Sequence, residues 1–435
     1  MKLTPIDYRS RLNAATEQLA EGALLLLSQP TAYRNANNEH SYRQESFLYY
    51  LTGFDEPDSA LLILANEPEG KRNILFLRDK DALAELWSGK RLGIAAATKE
   101  LSIDAAFPIE SLWEKLPLLV RKARRLYYHL GRDQNSDVKV IKALHEAKRG
   151  RGRENVNLLS IHDANFISGA LRLRKSPEEI ERMRQAAAIT RQTFAKIYEA
   201  VRPGMNEREV NGLIVGEFLR LGSEMESYGS IVAGGVNATC LHYRSNNQPL
   251  VDGQLLLIDA GAQFQYYASD VTRTFPIGRK FTGEQRAIYE IVLDAQLIGI
   301  KAGTVGSSLN KIHQAALDRL IDGLIELKFL TGSRDEIKER QTFKRFYPHG
   351  TSHWIGLDTH DVGDYMEDGD FMPLKPGMYF SVEPGLYIDA NDDTVPEGFR
   401  GIGVRVEDDV LVTERGPDVL TTGIAKAVAD LENRY

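Results

Sequence analysis

The chain has a single cysteine, Cys240, in 435 residues. No disulfide can form within it, which suits a reducing compartment. Positive charge is also scarce: 54 Lys and Arg face 61 Asp and Glu, a net charge of −7. That balance argues against nucleic acid or an anionic membrane as the main partner. Long apolar runs are missing too. Ala23 to Leu27 is apolar but stops at Ser28-Gln29-Pro30, too short for an export core or a membrane span. It is expected to be a buried strand, and the expected location is the cytoplasm. The one basic run, Lys148 to Arg153, has no interleaved aromatic and is expected to be a solvated loop.

What is present is an ordinary globular composition, 43% hydrophobic and 26% charged, with length for two or three domains of about 150 residues each. The first half reads as α/β. Ala23–Leu27, Ala60–Leu64 and Ile74–Leu77 look like buried strands, and Asp7–Glu21 and Ile109–Leu126 look helical. Ser176-Pro177-Glu178-Glu179 has serine at the N-cap, proline at the first helical position and glutamate at the third, the pattern of a capping box. A long helix should follow, burying Ile180, Met183, Ala187, Phe194, Ile197 and Val201 and ending at Arg202-Pro203-Gly204. The domains are therefore set at 1–172 and 173–435. Within the second, Arg202-Pro203-Gly204-Met205 before a helical Glu207–Leu221 is echoed by Lys301-Ala302-Gly303-Thr304 before Ser308–Leu324. Two similar α/β halves about a pseudo-twofold axis would explain the echo; chance helix–turn–helix similarity is the alternative.

The chemistry begins at Leu255-Leu256-Leu257-Ile258-Asp259, an apolar strand ending on a carboxylate. A second strand is expected over Tyr266–Thr272. With Phe264 and Gln265 at the turn, Asp259 faces Asp270 at a Cα separation of about 4.5–5.5 Å. Carboxylates held so close repel unless protonated or bound to cations. The turn lacks the usual glycine or asparagine, and two unrelated acids remain the alternative. Three of the nine histidines, His349, His353 and His360, cluster in one glycine-interrupted stretch, which favours a site over scattered surface groups. The apolar strand that begins at Tyr379 ends on Glu383. Arg405 and Glu407 sit two residues apart on one strand face, as a salt bridge or as part of a metal site. Asp259, Asp270, His353, Glu383 and Glu407 make a hard, oxygen-rich set that suits Mn²⁺. Two such ions, roughly 3.5–4 Å apart, would nearly balance four negative charges.

These motifs resemble the creatinase and methionine-aminopeptidase superfamily, and within it the aminopeptidase P family. The resemblance rests on Asp259 and Asp270, on His349-Gly350-Thr351-Ser352-His353-Trp354 with its extension to Asp361, on Val382-Glu383-Pro384-Gly385, and on Arg405-Val406-Glu407. It extends to Tyr42-Arg43-Gln44 and Tyr50-Leu51-Thr52-Gly53-Phe54 in the first half. It implies a creatinase-like α/β N-terminal domain followed by a pita-bread catalytic domain. It also implies two divalent ions, with Asp259 chelating one, Asp270 and Glu407 bridging, and His353 and Glu383 completing the set. The implied reaction removes a first residue that precedes proline, with Glu383 as proton acceptor and His360 at the oxyanion. His242, His349, His360 and Tyr387 would meet substrate, and Arg405 would support the catalytic shell. Trp87 of the first domain is the matching candidate to approach a neighbour's site in a homodimer or homotetramer; packing within its own domain is the alternative.

Three other readings compete. Prolidase, which cuts only Xaa-Pro dipeptides, shares the fold, but Gly350–Trp354 and Tyr50–Phe54 look more like the aminopeptidase. A thiol hydrolase using Cys240 and His242 would leave the five ligands unexplained. A non-enzymatic binding protein on this fold would be expected to have lost ligands, and none is lost.

Overall fold

The computed structural model describes residues 3–149, 158, 160–278 and 280–433. They divide into two units, one of Pro5–Leu171 and one of Arg172 onward with Leu3 and Thr4. Gly150 to Arg153, part of the basic run, lie outside the described residues.

The first unit is built on a six-stranded mixed sheet in the order Ala105–Pro108, Asn73–Leu77, Ala60–Leu64, Ala23–Leu27, Arg125–Tyr128, Ser160–Asp163. The three strands 23–27, 60–64 and 73–77 pair antiparallel, and the outer pairings are parallel. All five residues of both Ala60–Leu64 and Asn73–Leu77 are buried. Continuous burial means that both faces of the sheet are covered, so the sequence shows a solid apolar run rather than alternation. Asp7 caps the Tyr8–Leu19 helix. The expected helix from Ile109 to Leu126 is shorter: the α-helix is Leu112–Leu119, a 3-10 turn follows, and Arg125–Tyr128 is a strand. The aromatic pair Tyr127 and Tyr128 is buried in the sheet, where aromatic side chains pack well.

The second unit opens on the capping box. The Ser176 side chain accepts from the Glu179 N–H, Glu179 reaches back to Ser176, and the helix runs Pro177–Ala200. Met183, Ala187, Phe194, Ile197 and Val201 are buried and Ile180 half-buried. The same order of elements then occurs twice. Helices Pro177–Ala200 and Glu207–Arg220 precede the antiparallel sheet Ile231–Gly234, Leu255–Asp259, Thr272–Pro276. Helices Gly283–Ala302 and Leu309–Glu326 precede the antiparallel sheet Tyr379–Val382, Asp408–Thr413, Gly416–Val419. The two halves meet where Glu407 N–H donates to the Thr272 carbonyl, 3.0 Å. No helix among the described residues is long and apolar enough to cross a membrane.

The hairpin register differs from the one expected. Gln263 pairs with Ala268 and Asp259 with Thr272, not with Asp270. The turn is Gln265-Tyr266, both with positive φ, 47° and 72°. Such a turn normally takes glycine or asparagine; here the Gln265 N–H is held by the Glu224 carboxylate. The slip is two residues, so it preserves which side chains share a face. It also sets Gly261 against the segment carrying Asp270: a Cβ there would lie 1.7 Å from the Ser269 carbonyl oxygen.

Behind the junction lies a buried ion cluster. Arg273 donates to the Thr272 and Glu407 carbonyls and to Asp408 Oδ1 at 2.7 Å. Asp408 also accepts from Gln296, Thr421 and Lys426. Arg273 and Asp408 are each 1% exposed. Asp408→Asn leaves the Arg273 charge buried without a carboxylate, and a stability loss of about 3–5 kcal/mol is expected from urea denaturation midpoints. A loss under about 1 kcal/mol would show that the junction does not depend on this cluster.

Candidate metal centre

Each acidic residue of the site sits at or beside a strand end. Asp259 closes Leu255–Asp259, Glu383 follows Tyr379–Val382, Glu407 lies between Gly403–Arg405 and Asp408–Thr413, and Asp270 precedes Thr272–Pro276. The backbone there is tied down. Asp270 N–H donates to Asp409, Glu383 N–H to the Thr351 carbonyl and His353 N–H to Ser381 Oγ. Fixed backbone gives buried carboxylates few ways to move apart.

The result is a cavity of about 710 Å³, within the usual range for small-molecule sites. Asp259, Asp270, His353, Glu383 and Glu407 all line it, as do His242, His349, His360 and Arg405. Asp270, His353 and Glu407 offer ligand atoms within 4.8 Å of one another. His353 Nε2 lies 3.4 Å from both Asp270 Oδ2 and Glu383 Oε1. That is longer than a usual N–H···O bond, ~2.9 Å. It is close to the spacing of two donors bound to one ion at ~2.1 Å, which tetrahedral or octahedral angles place ~3.0–3.4 Å apart.

The charge balance points the same way. Three buried carboxylates and the half-buried Glu383 face one guanidinium, Arg405, whose Nη2 is 2.6 Å from Asp259 Oδ2. Burial pushes Glu383 up to about 7 and, with Asp270 and Glu383 nearby, pushes Glu407 well above the carboxylate range. Burial also raises Asp259. His353 is raised to about 9 against its burial, through its contacts with Asp270 and Glu383. Tyr228 donates to both Asp259 and Asp270, one proton shared by two carboxylates. The cluster thus lacks positive charge, and its donor atoms are oxygen plus one imidazole. The residues fit divalent cations.

The surrounding hydrogen bonds have a defined direction. Arg405 Nη1 donates to Tyr387 Oη, 3.1 Å, and Tyr387 Oη lies 2.9 Å from His349 Nε2. His349 Nδ1 is 2.7 Å from the Gly350 carbonyl, which can only accept, so Nδ1 carries the proton and Nε2 accepts from the phenol. Burial and the Arg405 charge hold His349 down at about 4, neutral at pH 7. Tyr387 therefore sits behind His349. Arg405 does not pair with Glu407 directly; Thr272 Oγ1 stands between them, accepting from Arg405 Nε at 3.1 Å and donating to Glu407 Oε2 at 2.7 Å. His360 packs edge-on to His353, ring centroids 4.4 Å apart. Trp87 belongs to the first unit and is 84% exposed there.

Sequence reasoning missed Tyr228, Thr272, Asp409 and Arg244. Tyr228 and Arg244 line the cavity, and Thr272 and Asp409 brace its ligands. A tyrosine, a threonine or an arginine carries no spacing signal, because its role is set by a partner distant in sequence. The Glu383–Ser381 contact, 3.4 Å, follows from strand alternation and was accessible in principle.

A direct test follows from the charge imbalance. Mn²⁺ added to metal-stripped protein should raise the melting temperature, by an amount equivalent to about 2.7 kcal/mol at a hundredfold excess over Kd. Asp270→Asn should lose most of that gain. Calorimetric scans showing no Mn²⁺ effect on the wild-type chain would remove the metal centre.

Comparison with known proteins places this geometry. Residues 181–414 match the model of metallopeptidase family M24, and residues 8–128 match the aminopeptidase P N-terminal domain. The chain is 40% identical over 433 residues to a Haemophilus influenzae Xaa-Pro aminopeptidase, covering 99% of this chain and 97% of that protein. The Pseudomonas aeruginosa aminopeptidase PepP structure superposes with a TM-score of 0.93 at 37% identity, covering 100% of this chain and 98% of that one. The zinc-substituted Escherichia coli aminopeptidase P in complex with product gives 0.93 at 37% identity, covering 99% and 98%. The chain belongs to metallopeptidase family M24, with the aminopeptidase P N-terminal domain and the pita-bread catalytic fold of its Xaa-Pro aminopeptidases.

Proposed function

We propose a division of labour among the site residues for the activity that family membership gives this chain. It is a metal-dependent exopeptidase, an Xaa-Pro aminopeptidase, that hydrolyses the bond between a peptide's first residue and a following proline. The prolidase alternative is not favoured, since the relatives matched over nearly the whole chain are Xaa-Pro aminopeptidases. The observation that carries the assignment of roles is the meeting of four carboxylates and His353 in one cavity whose walls also present His242, His349 and His360.

Asp259, Asp270, His353, Glu383 and Glu407 would hold two divalent ions, with Mn²⁺ the best match to an oxygen-rich set. When bound, such ions acidify and position water for attack on an amide. Glu383 takes the proton of that attack and passes it to the leaving nitrogen. His360, exposed on the cavity wall beside His353, donates to the developing oxyanion. His242 and His349 contact the substrate. Tyr387 and Arg405 act behind them, fixing His349 as an acceptor and Asp259 in place.

Proline specificity has a physical basis. The bond before proline is a tertiary amide with no N–H, so an enzyme gripping an extended backbone loses a donor there. An enzyme that holds the free amine and accepts the ring needs no such donor. Xaa-Pro-Yaa peptides should therefore be cut faster than Xaa-Pro dipeptides. Alanine in the second position should slow cleavage about 10–200-fold, the range for an unfilled apolar pocket. Glu383→Ala should lower turnover by at least about 10²–10⁴-fold. Mass spectrometry of the products decides: cleavage of dipeptides alone would restore prolidase, and equal cleavage with alanine would remove both.

A homodimer or homotetramer in the cytoplasm completes the reading. The single cysteine supports the compartment. The Ala82–Ser88 helix supports assembly, because Leu83, Leu86 and Trp87 on it are 70%, 78% and 84% exposed and no residue of that helix is buried. An apolar face of that kind marks a contact surface. Light scattering at micromolar concentration should give two or four times the 48.8 kDa chain mass. A monomer mass would refute assembly.

A further inference from the structure

The cavity wall carries two guanidinium groups, Arg244 and Arg405. Arg405 is buried and committed to Asp259, Tyr387 and Thr272. Arg244 is exposed and, among the described residues, makes no ion pair; Nη1 donates to the Gly229 carbonyl. A Cβ on Gly229 would come within 2.9 Å of that same nitrogen, so the missing side chain leaves room for the guanidinium.

The segment bearing Arg244 is anchored on both sides. Tyr243 Oη donates to Glu207 Oε2 at 2.9 Å, and the fully buried Glu207 also accepts from Gly234, Asn237 and Gln248. Asn246 accepts from Val232 N–H at 3.0 Å and donates to the Ser230 carbonyl at 2.8 Å. The arginine stem therefore leaves a fixed piece of backbone, which lowers the entropy of holding its head in place.

The cavity lining consequently presents both signs of charge. Asp259, Asp270 and Glu407 on it are at most 8% exposed, whereas Arg244 is exposed and has no acidic partner among the described residues. A peptide has the matching polarity, an ammonium at one end and a carboxylate at the other. With the ammonium end at the carboxylates, the chain beyond the proline runs outward past a cation.

We propose that Arg244 is a specificity-determining residue that receives a carboxylate of the substrate beyond the proline. That group is either the C-terminal carboxylate of a tripeptide or an acidic side chain in the third position. The inference rests on the aminopeptidase reading and deepens it. A planar guanidinium pairs a carboxylate through two parallel N–H···O bonds, which a lysine cannot copy.

The test uses the full-length, Mn²⁺-loaded enzyme and three peptides: Ala-Pro-Leu with a free carboxylate, Ala-Pro-Leu amide and Ala-Pro-Asp amide. Wild type should show kcat/KM about fivefold higher for one or both carboxylate-bearing peptides than for Ala-Pro-Leu amide, the size an exposed ion pair allows. The difference should lie in KM and shrink as salt rises. R244Q should bring the ratio to about one, R244E should invert it and R244K should restore part of it. The free peptide alone responding assigns the C-terminal carboxylate; the aspartyl peptide responding assigns a side-chain subsite. A binding readout runs in parallel: the inhibition constants of Pro-Leu and Pro-Leu amide should differ in wild type and converge in R244Q. Equal wild-type efficiency on all three peptides, or a preference unchanged in R244Q, overturns the inference while leaving the aminopeptidase reading standing. Failure to cut any of the three overturns both.

Discussion

The mutual repulsion of four clustered carboxylates, three of them buried, governs this molecule. Asp259, Asp270, Glu383 and Glu407 would not share one cavity in an apolar interior without a compensating charge, because burying an unpaired carboxylate is costly. The protein supplies only part of that charge. Arg405 takes Asp259, His353 leans on Asp270 and Glu383, and Tyr228 shares one proton between two acids. What remains is a deficit of positive charge that divalent cations remove.

The fold is organised so that this deficit is not relieved by movement. Two copies of a helix–helix–sheet unit meet along strands, and the acids lie at that meeting. Arg273, paired with Asp408, locks the seam from behind by donating to the carbonyls of Thr272 and Glu407 on opposite sides of it. Gly261 lets the two strands of the hairpin approach more closely than any side chain permits. Stability given up by clustering the acids is thus offset by packing and ion pairing a few ångströms away, and the site is preorganised before substrate arrives.

Much of this was legible in the sequence because the chemistry is local there. Strand ends carrying Asp259, Glu383 and Glu407 are visible as apolar runs broken by a charge, and the capping box at Ser176 announces its helix. The hairpin register was not legible. Its turn, Gln265-Tyr266, contains neither glycine nor asparagine, and what holds it is Glu224, a residue with no sequence neighbour in the hairpin. The expected facing of Asp259 and Asp270 came out differently: the slip is by two, so both acids still point into the cavity although they are not cross-strand partners. The break after Leu119 was hidden because Val120-Arg121-Lys122-Ala123-Arg124-Arg125 contains neither glycine nor proline to mark the end of a helix. Tyr228 was invisible for a further reason: it acts through Asp259 and Asp270, which only the folded chain brings near.

The central claim is that the carboxylate cluster is a two-cation site. The most direct measurement is anomalous scattering from crystals of the protein soaked in Mn²⁺. The account predicts two manganese peaks, roughly 3.5–4 Å apart, among Asp259, Asp270, His353, Glu383 and Glu407. No peak there, or manganese only at surface carboxylates, would contradict it.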